Sequence, residues 1–197
     1  RDGQIYRTVK IGGQTWMAEN LNYSNEEKYL SIQGKYACPI EDTSRVFGGC
    51  SYTWAAVIDS IYWLGKGKKC GYYEDPCSLP SRVQGICPPR WHMPNAEEFE
   101  TLYRQISQKV RKIQALGYDY SSDESGFSAL SGGCNSDYQC SFSIGPYFGG
   151  ATFWAATEMN EYESNYWIVS DKEAYVYRGF GNYKNGLHSV RCVKDEE

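Results

Sequence analysis

Nowhere in this chain do about 20 apolar residues follow one another, the length a membrane-crossing helix needs, so no span is expected. Histidine is nearly missing: His92 and His188 are the only two, which leaves little imidazole for metal binding or catalysis. Positive charge is scarce as well, with 20 Lys and Arg against 24 Asp and Glu, a net charge of -4 and one basic cluster, Lys66-Gly67-Lys68-Lys69. A surface that tracks phosphates needs more than that, and no nucleic-acid partner is expected. No glycine-rich phosphate loop or dinucleotide fingerprint follows a strand-like segment, and the Lys66 cluster reads as a solvated turn. The sequence begins Arg1-Asp2-Gly3-Gln4 without a signal-peptide pattern, so any export signal is expected to be gone already.

Cysteine is plentiful. Eight residues, at 38, 50, 70, 77, 87, 134, 140 and 192, form an even set that a reducing cytosol would not keep bonded, so disulfides and an extracellular or cell-surface location are expected. Structural zinc would call for closely paired cysteines or added histidines, which are missing. Eight cysteines allow 105 pairings. Local closure favours Cys38 with Cys50, Cys70 with Cys77 and Cys134 with Cys140, leaving Cys87 for Cys192. In the chain-entropy model that last, long loop contributes roughly 4 to 5 kcal/mol.

With 197 residues, 41% of them apolar, one domain spanning 1–197 is expected to bury roughly 70% of its unfolded surface. Aromatics are the other excess: 18 Tyr, 6 Trp and 7 Phe, enough for rings shared between core edge and surface.

Residues 4–11 alternate, with Ile5, Val9 and Ile11 on one face, and Gly12-Gly13 turns them into a second run from Gln14 to Ala18, which predicts a hairpin. Thr53 caps a predicted helix carrying Trp54, Val57, Ile58 and Ile61 as a core stripe. Residues 65–89 read as a crosslinked surface loop. Asn95 with Glu98 forms a capping box, and Phe99, Leu102, Tyr103, Ile106, Val110 and Ile113 share a stripe on the helix that follows, acidic at its start and basic near Lys109, Arg111 and Lys112. Short strands are then predicted at 126–130, 153–157, 166–169, 174–178 and 187–193. Helices first and antiparallel strands after imply an α+β fold.

Several segments together carry a family resemblance. They are Gln4-Ile5-Tyr6-Arg7-Thr8-Val9-Lys10-Ile11-Gly12-Gly13-Gln14-Thr15-Trp16-Met17-Ala18-Glu19-Asn20-Leu21, Tyr52-Thr53-Trp54-Ala55-Ala56, Gly85-Ile86-Cys87-Pro88 with Trp91-His92-Met93-Pro94, Gly126-Phe127-Ser128-Ala129-Leu130, Phe153-Trp154 and Ser189-Val190-Arg191-Cys192-Val193-Lys194. In this order, over nearly the whole chain, they resemble the Fibrobacter succinogenes major paralogous domain. The resemblance implies a C-type lectin-like fold, similar to that of formylglycine-generating enzymes, with two helices flanking small antiparallel sheets. It maps residues 53–60 to the first helix, Asn95 onward to the second, Cys87 with Cys192 to the long bridge, and residues 131–152 to the loop that carries ligands in lectins. It also implies exported or surface-attached bacterial proteins. Arg90 departs from the family's usual Gly before the Trp, which is expected to alter the local turn without touching the fold. The reactive cysteines of formylglycine-generating enzymes are not carried over, because every cysteine here has a plausible partner.

Carbohydrate is the expected ligand, because sugar C–H faces stack on aromatic rings while amides and carboxylates bond the hydroxyls. Tyr175 and Tyr177 share a strand face, Phe180 and Tyr183 follow in the next loop, and Glu158, Asn160 and Tyr162 stand in an acidic loop nearby. Glu158, Asn160, Glu161 and Glu163 are weak calcium candidates, since hard oxygens suit that ion. The calcium-dependent sugar signatures of C-type lectins are absent, and no cofactor is expected. The alternative is a protein-interaction or adhesion module of the cell surface, using the same loops as contact points. No carboxylate pair is marked out for glycoside hydrolysis and no triad is indicated for His92 or His188, so a non-enzymatic module is expected, with His92 in a structural hydrogen-bonding role.

Overall fold

Gly12 and Gly13 take φ values of +57° and +92°, the left-handed pair that lets two residues close a hairpin, and they join β1 (Thr8–Ile11) to β2 (Gln14–Met17) with Ile11 facing Gln14. This is a computed structural model; it describes residues 3–33, 35–38, 49–106, 123–130, 150–170 and 176–196. Cys134 and Cys140, most of the 131–152 loop, and the helical residues expected beyond Ile106 lie outside them.

The hairpin does not stand alone. Trp16 in β2 pairs with Val193 of β9 (Val193–Lys194), which pairs in turn with His92 of β5 (Trp91–His92), so the sheet order is β1-β2-β9-β5. The Cys87–Cys192 disulfide locks that meeting of mid-chain and C-terminal segments. Two short strands, β3 (Tyr36–Ala37) and β4 (Ser51–Tyr52), pair beside the Cys38–Cys50 disulfide. A three-stranded antiparallel sheet, β6 (Gly150–Glu158), β7 (Glu163–Ser170) and β8 (Val176–Tyr183), completes the α+β arrangement.

Thr53 caps α1 (Trp54–Val57) by accepting from the Ala56 amide. The expected single helix breaks there: Asp59 sits at φ 63° and starts α2 (Ser60–Leu64), its carboxylate accepting from Ser31 Oγ and the Tyr62 amide. The break turns Ile61 outward, 45% exposed, so the expectation that it packs in the core is wrong. The capping box of Asn95 and Glu98 is complete and begins α3 (Ala96–Gln105), whose Phe99 and Leu102 are buried.

Phe99 lies between Trp16 (5.2 Å) and Trp167 (5.4 Å, stacked), forming one apolar cluster with Phe127 and Phe153. A second cluster surrounds Trp54, Tyr52 and Trp154 and includes Cys87 and Cys192. Arg191 anchors a third set of contacts. Fully buried, it donates from Nε to Asn20 Oδ1 at 2.5 Å, from Nη1 to the Met17 and Phe127 carbonyls, and from Nη2 to the Ser128 carbonyl at 2.8 Å. Its guanidinium lies 4.7 Å from the Phe127 ring. Burial pushes its pKa down to about 9, partly offset by the charges of Asp123 and Glu19.

Three strand expectations change. Residues 126–130 are not a strand, because Ser128 takes φ 54° while Asp123 accepts from its amide and hydroxyl, and this irregular bend aims two carbonyls at Arg191. Of 187–193 only Val193 joins a strand; His188 and Ser189 make single bridges to Tyr52 and Phe153. Phe180 and Tyr183 belong to β8 and not to a following loop. The pairing of β7 with β8 continues past an irregularity between Ser164 and Tyr166, opposite a segment containing Gly179 and Gly181.

Candidate ligand platform

Cys70 and Cys77 are bonded, and the short loop between them is tied down from three sides. The Cys77 amide donates to Glu158 Oε2 at 2.6 Å, Lys68 Nζ donates to the Cys77 and Ser78 carbonyls, and the Tyr73 amide donates to the Glu161 carbonyl at 3.2 Å. Beneath the loop, Lys184 Nζ lies 2.5 Å from Glu158 Oε1 and 4.8 Å from the Trp54 ring centre. Tyr73 holds a left-handed φ of 64°, a conformation that persists only where its surroundings impose it.

The turn between β6 and β7 comes up beside this loop. Asn160 Oδ1 accepts from the amides of Tyr162 and Glu163, each at 2.8 Å, and its Nδ2 donates to Glu163 Oε2. This side-chain-made turn presents Tyr162. The Tyr162 carbonyl accepts from the Lys184 amide at 2.8 Å, which brings up Tyr183 at the end of β8.

Four tyrosines from three segments therefore meet. Tyr72 lies 4.2 Å from Tyr73, 6.1 Å from Tyr162 and 5.9 Å from Tyr183 between ring centres, and Tyr73 lies 5.1 Å from Tyr162. All four contacts are edge-to-face, the arrangement ring quadrupoles favour. Tyr73 is 70% exposed, Tyr183 47% and Tyr162 38%, so the cluster is packed within itself yet open to solvent. The Tyr72 phenol is pushed up to about 12, first by its hydrogen bond to Tyr73 and then by burial, and bonding to Glu161 raises the Tyr162 phenol. Both stay protonated at neutral pH, with these bonds engaging their O–H groups and leaving the phenol oxygens as acceptors. A groove of about 320 Å³ lies between the same two segments, bounded by Pro76, Leu79 and Pro80 on the loop side and by Thr157, Glu158 and Met159 on the hairpin side, with none of the four tyrosines in its wall.

Of the residues expected at a site, Tyr162 and Tyr183 are brought together here. Glu158 and Asn160 lie under them as supports, their polar atoms engaged as above. Tyr175 lies outside the described residues, as do the side chains of Tyr177 and Phe180. Among the described residues, Glu158, Glu161 and Glu163 included, no group of three or more His, Cys, Asp or Glu could hold a metal ion. Tyr72 and Tyr73 were missed. The signal was present in Gly71-Tyr72-Tyr73-Glu74-Asp75-Pro76: adjacent rings in a polar loop cinched by a disulfide have nowhere to be buried.

A second groove, about 370 Å³, contains His92. Both its ring nitrogens are taken, Nδ1 by Asp195 and Nε2 by Glu98, each at 2.7 Å. Burial alone would lower its pKa, but the bonds and charges of Glu98 and Asp195 hold it above the ordinary value. Through these two bonds His92 ties α3 and the C-terminal segment to β5, a structural hydrogen-bonding role. His188 is the opposite case: burial lowers it to about 3, and its ring sits against Trp154 and Tyr166 with Nδ1 2.8 Å from Thr152 Oγ1.

Among the described residues no helix is long and apolar enough to cross a membrane. Neither a curated protein nor a solved structure matches the chain. A family model does, over residues 9–194, and the segments it spans include the Arg191 anchor, the capping box and the Cys87–Cys192 bridge just described. The chain belongs to the Fibrobacter succinogenes major domain family.

Proposed function

We propose that this chain is a non-catalytic carbohydrate-binding module of the bacterial cell surface or exterior, with a C-type lectin-like fold, and that the four-tyrosine platform is its ligand site. The observation that carries this reading is the exposure of Tyr73, Tyr162 and Tyr183 in one cluster held by a disulfide and by the buried Lys184–Glu158 pair. Amphipathic rings fixed in place stack on sugar C–H faces at little cost in conformational entropy, and their phenols bond hydroxyls. The adjoining groove offers room for a neighbouring sugar unit. Engagement of Glu158 with Lys184 and Cys77 favours binding over hydrolysis, since it removes the best-positioned carboxylate from acid–base work. The three disulfides among the described residues fit an oxidising location, and the C-terminal strand stapled to mid-chain by Cys87–Cys192 fits the lectin-like arrangement.

Electrophoresis through gels containing xyloglucan, hydroxyethylcellulose or laminarin tests the proposal. Retardation on at least one polymer, weakened about tenfold in Tyr73→Ala and in Tyr162→Ala, is the expected result, a loss equivalent to about 1.4 kcal/mol. Retardation unchanged in both variants would move the site elsewhere.

A second reading has its own observation. On α2, Ile61, Tyr62 and Leu64 are 45%, 53% and 53% exposed, and Leu30 is 56% exposed, which supports a protein contact or adhesion surface. Binding to no glycan, together with loss of a partner contact in Leu64→Asp, would favour it.

A further inference from the structure

We infer that the platform accepts uncharged polysaccharides and rejects polyanionic ones, an inference that rests on the glycan-binding reading above. Its ground is the distribution of charge around the rings. Glu74 and Asp75 follow Tyr73 inside the disulfide loop, and Glu161 precedes Tyr162 in the hairpin turn; Asp75 and Glu161 are exposed.

Among the described residues, the cations near the loop do not balance these acids. Lys184 is buried and bonded to Glu158, and Lys68 donates to two backbone carbonyls. Lys68 keeps its charge and Lys69 is exposed just outside the disulfide, so two cations face the three carboxylates of Glu74, Asp75 and Glu161 and the local sum stays negative. Arg7 is paired with Glu19, Arg82 lies near Asp195, and Arg191 is enclosed in the core, so none of them offers the platform a bidentate grip on a carboxylate.

A polyuronate carries a carboxylate on each sugar unit. Seated on these rings it would bring like charges within the Debye length of about 8 Å at physiological salt, with Lys68 and Lys69 too few, among the described residues, to neutralise them. A neutral chain of the same backbone meets no such penalty.

Hydroxyethylcellulose and carboxymethylcellulose share a backbone and differ in charge, so they separate the two effects. At low salt, retention on carboxymethylcellulose is expected to be about tenfold weaker. The ratio falls toward about twofold at 1 M NaCl, where the Debye length is about 3 Å. Asp75→Asn combined with Glu161→Gln lowers the ratio at low salt, whereas Glu27→Gln combined with Glu97→Gln, which changes net charge equally on other elements, does not. Equal or stronger Tyr73-dependent retention on carboxymethylcellulose overturns the selectivity and leaves glycan binding standing. A ratio moved equally by both double variants overturns its local origin. Retention on neither cellulose derivative, nor on xyloglucan or laminarin, overturns the glycan reading and the selectivity with it.

Discussion

Lys184 and Glu158 form a buried ion pair directly beneath the tyrosine platform: the ammonium lies 2.5 Å from one carboxylate oxygen, and the side chains are 0% and 9% exposed. The other carboxylate oxygen holds the Cys77 amide, so one acidic side chain links β6, the residue after β8 and the disulfide loop. Removing one member of such a pair leaves an uncompensated charge in a poorly solvated place. Glu158→Ala is expected to destabilise the protein by about 3 kcal/mol, a drop in Tm on the order of 10 °C. Lys184→Met combined with Glu158→Leu should recover much of that, because an apolar pair needs no compensation. Calorimetry on the three variants checks the order; a double variant no better than Glu158→Ala contradicts it.

The two histidines give stability a pH dependence of opposite sign. His92 has a raised pKa when folded, so its contribution is complete below about pH 6.5 and is lost as pH rises through the folded value. His188, lowered to about 3, contributes nothing adverse above pH 6.5. Below that the unfolded chain takes a proton the folded one refuses, and stability falls by up to about 1.4 kcal/mol per pH unit. The two slopes place their combined optimum near pH 6.5. Urea unfolding from pH 5 to 9 is expected to show His188→Gln flattening the acid side and His92→Gln flattening the alkaline side, whatever each does to the level of the curve.

Arg90 occupies a place built for glycine. Its φ is +69°, and the Trp91 amide donates to the Pro88 carbonyl at 3.0 Å, a turn with Pro89 second and Arg90 third that has the type II pattern. Arg90 thus places a side chain in the left-handed region that the third position of this turn requires. Arg90→Gly should stabilise the protein by about 0.5 to 1 kcal/mol, and Arg90→Ala should not, because alanine meets the same backbone penalty. Equal Tm values for Gly and Ala would contradict this.

Arg191 binds Asn20, Met17, Phe127 and Ser128 through a planar fork that no other cation can reproduce. Arg191→Lys keeps the charge but cannot reach all four oxygens, and a loss of about 3 kcal/mol in denaturant unfolding is expected. A loss under about 1 kcal/mol would mean that the hydrogen-bond network adds little.

Local signals carried well from sequence to structure. The Gly12-Gly13 hairpin, the Thr53 cap and the Asn95–Glu98 box each depend on a few neighbouring residues, and each forms. Cys38–Cys50 and Cys70–Cys77 follow from short-range closure, and Cys87–Cys192 from what remained once the local pairs were assigned. What stayed hidden is long-range or conformational. Ile61 was misplaced because periodicity cannot show that Asp59 will adopt a left-handed φ and break the helix. Gly179-Phe180-Gly181 reads as a turn until a partner strand is there to pair across it. Tyr162 and Tyr183 were legible as candidates, but their meeting with Tyr72 and Tyr73 depends on a disulfide loop some 90 residues earlier being docked by Glu158.

The central claim, that four tyrosines from separate segments form one sugar-binding surface, is tested most directly by NMR of the tyrosine ring protons during titration with a neutral cello-oligosaccharide. Saturating shifts confined to Tyr72, Tyr73, Tyr162 and Tyr183, with Tyr6, Tyr36 and Tyr62 unmoved, are the predicted result. Shifts centred on Tyr62, or on the groove around His92, with those four rings silent, would contradict it.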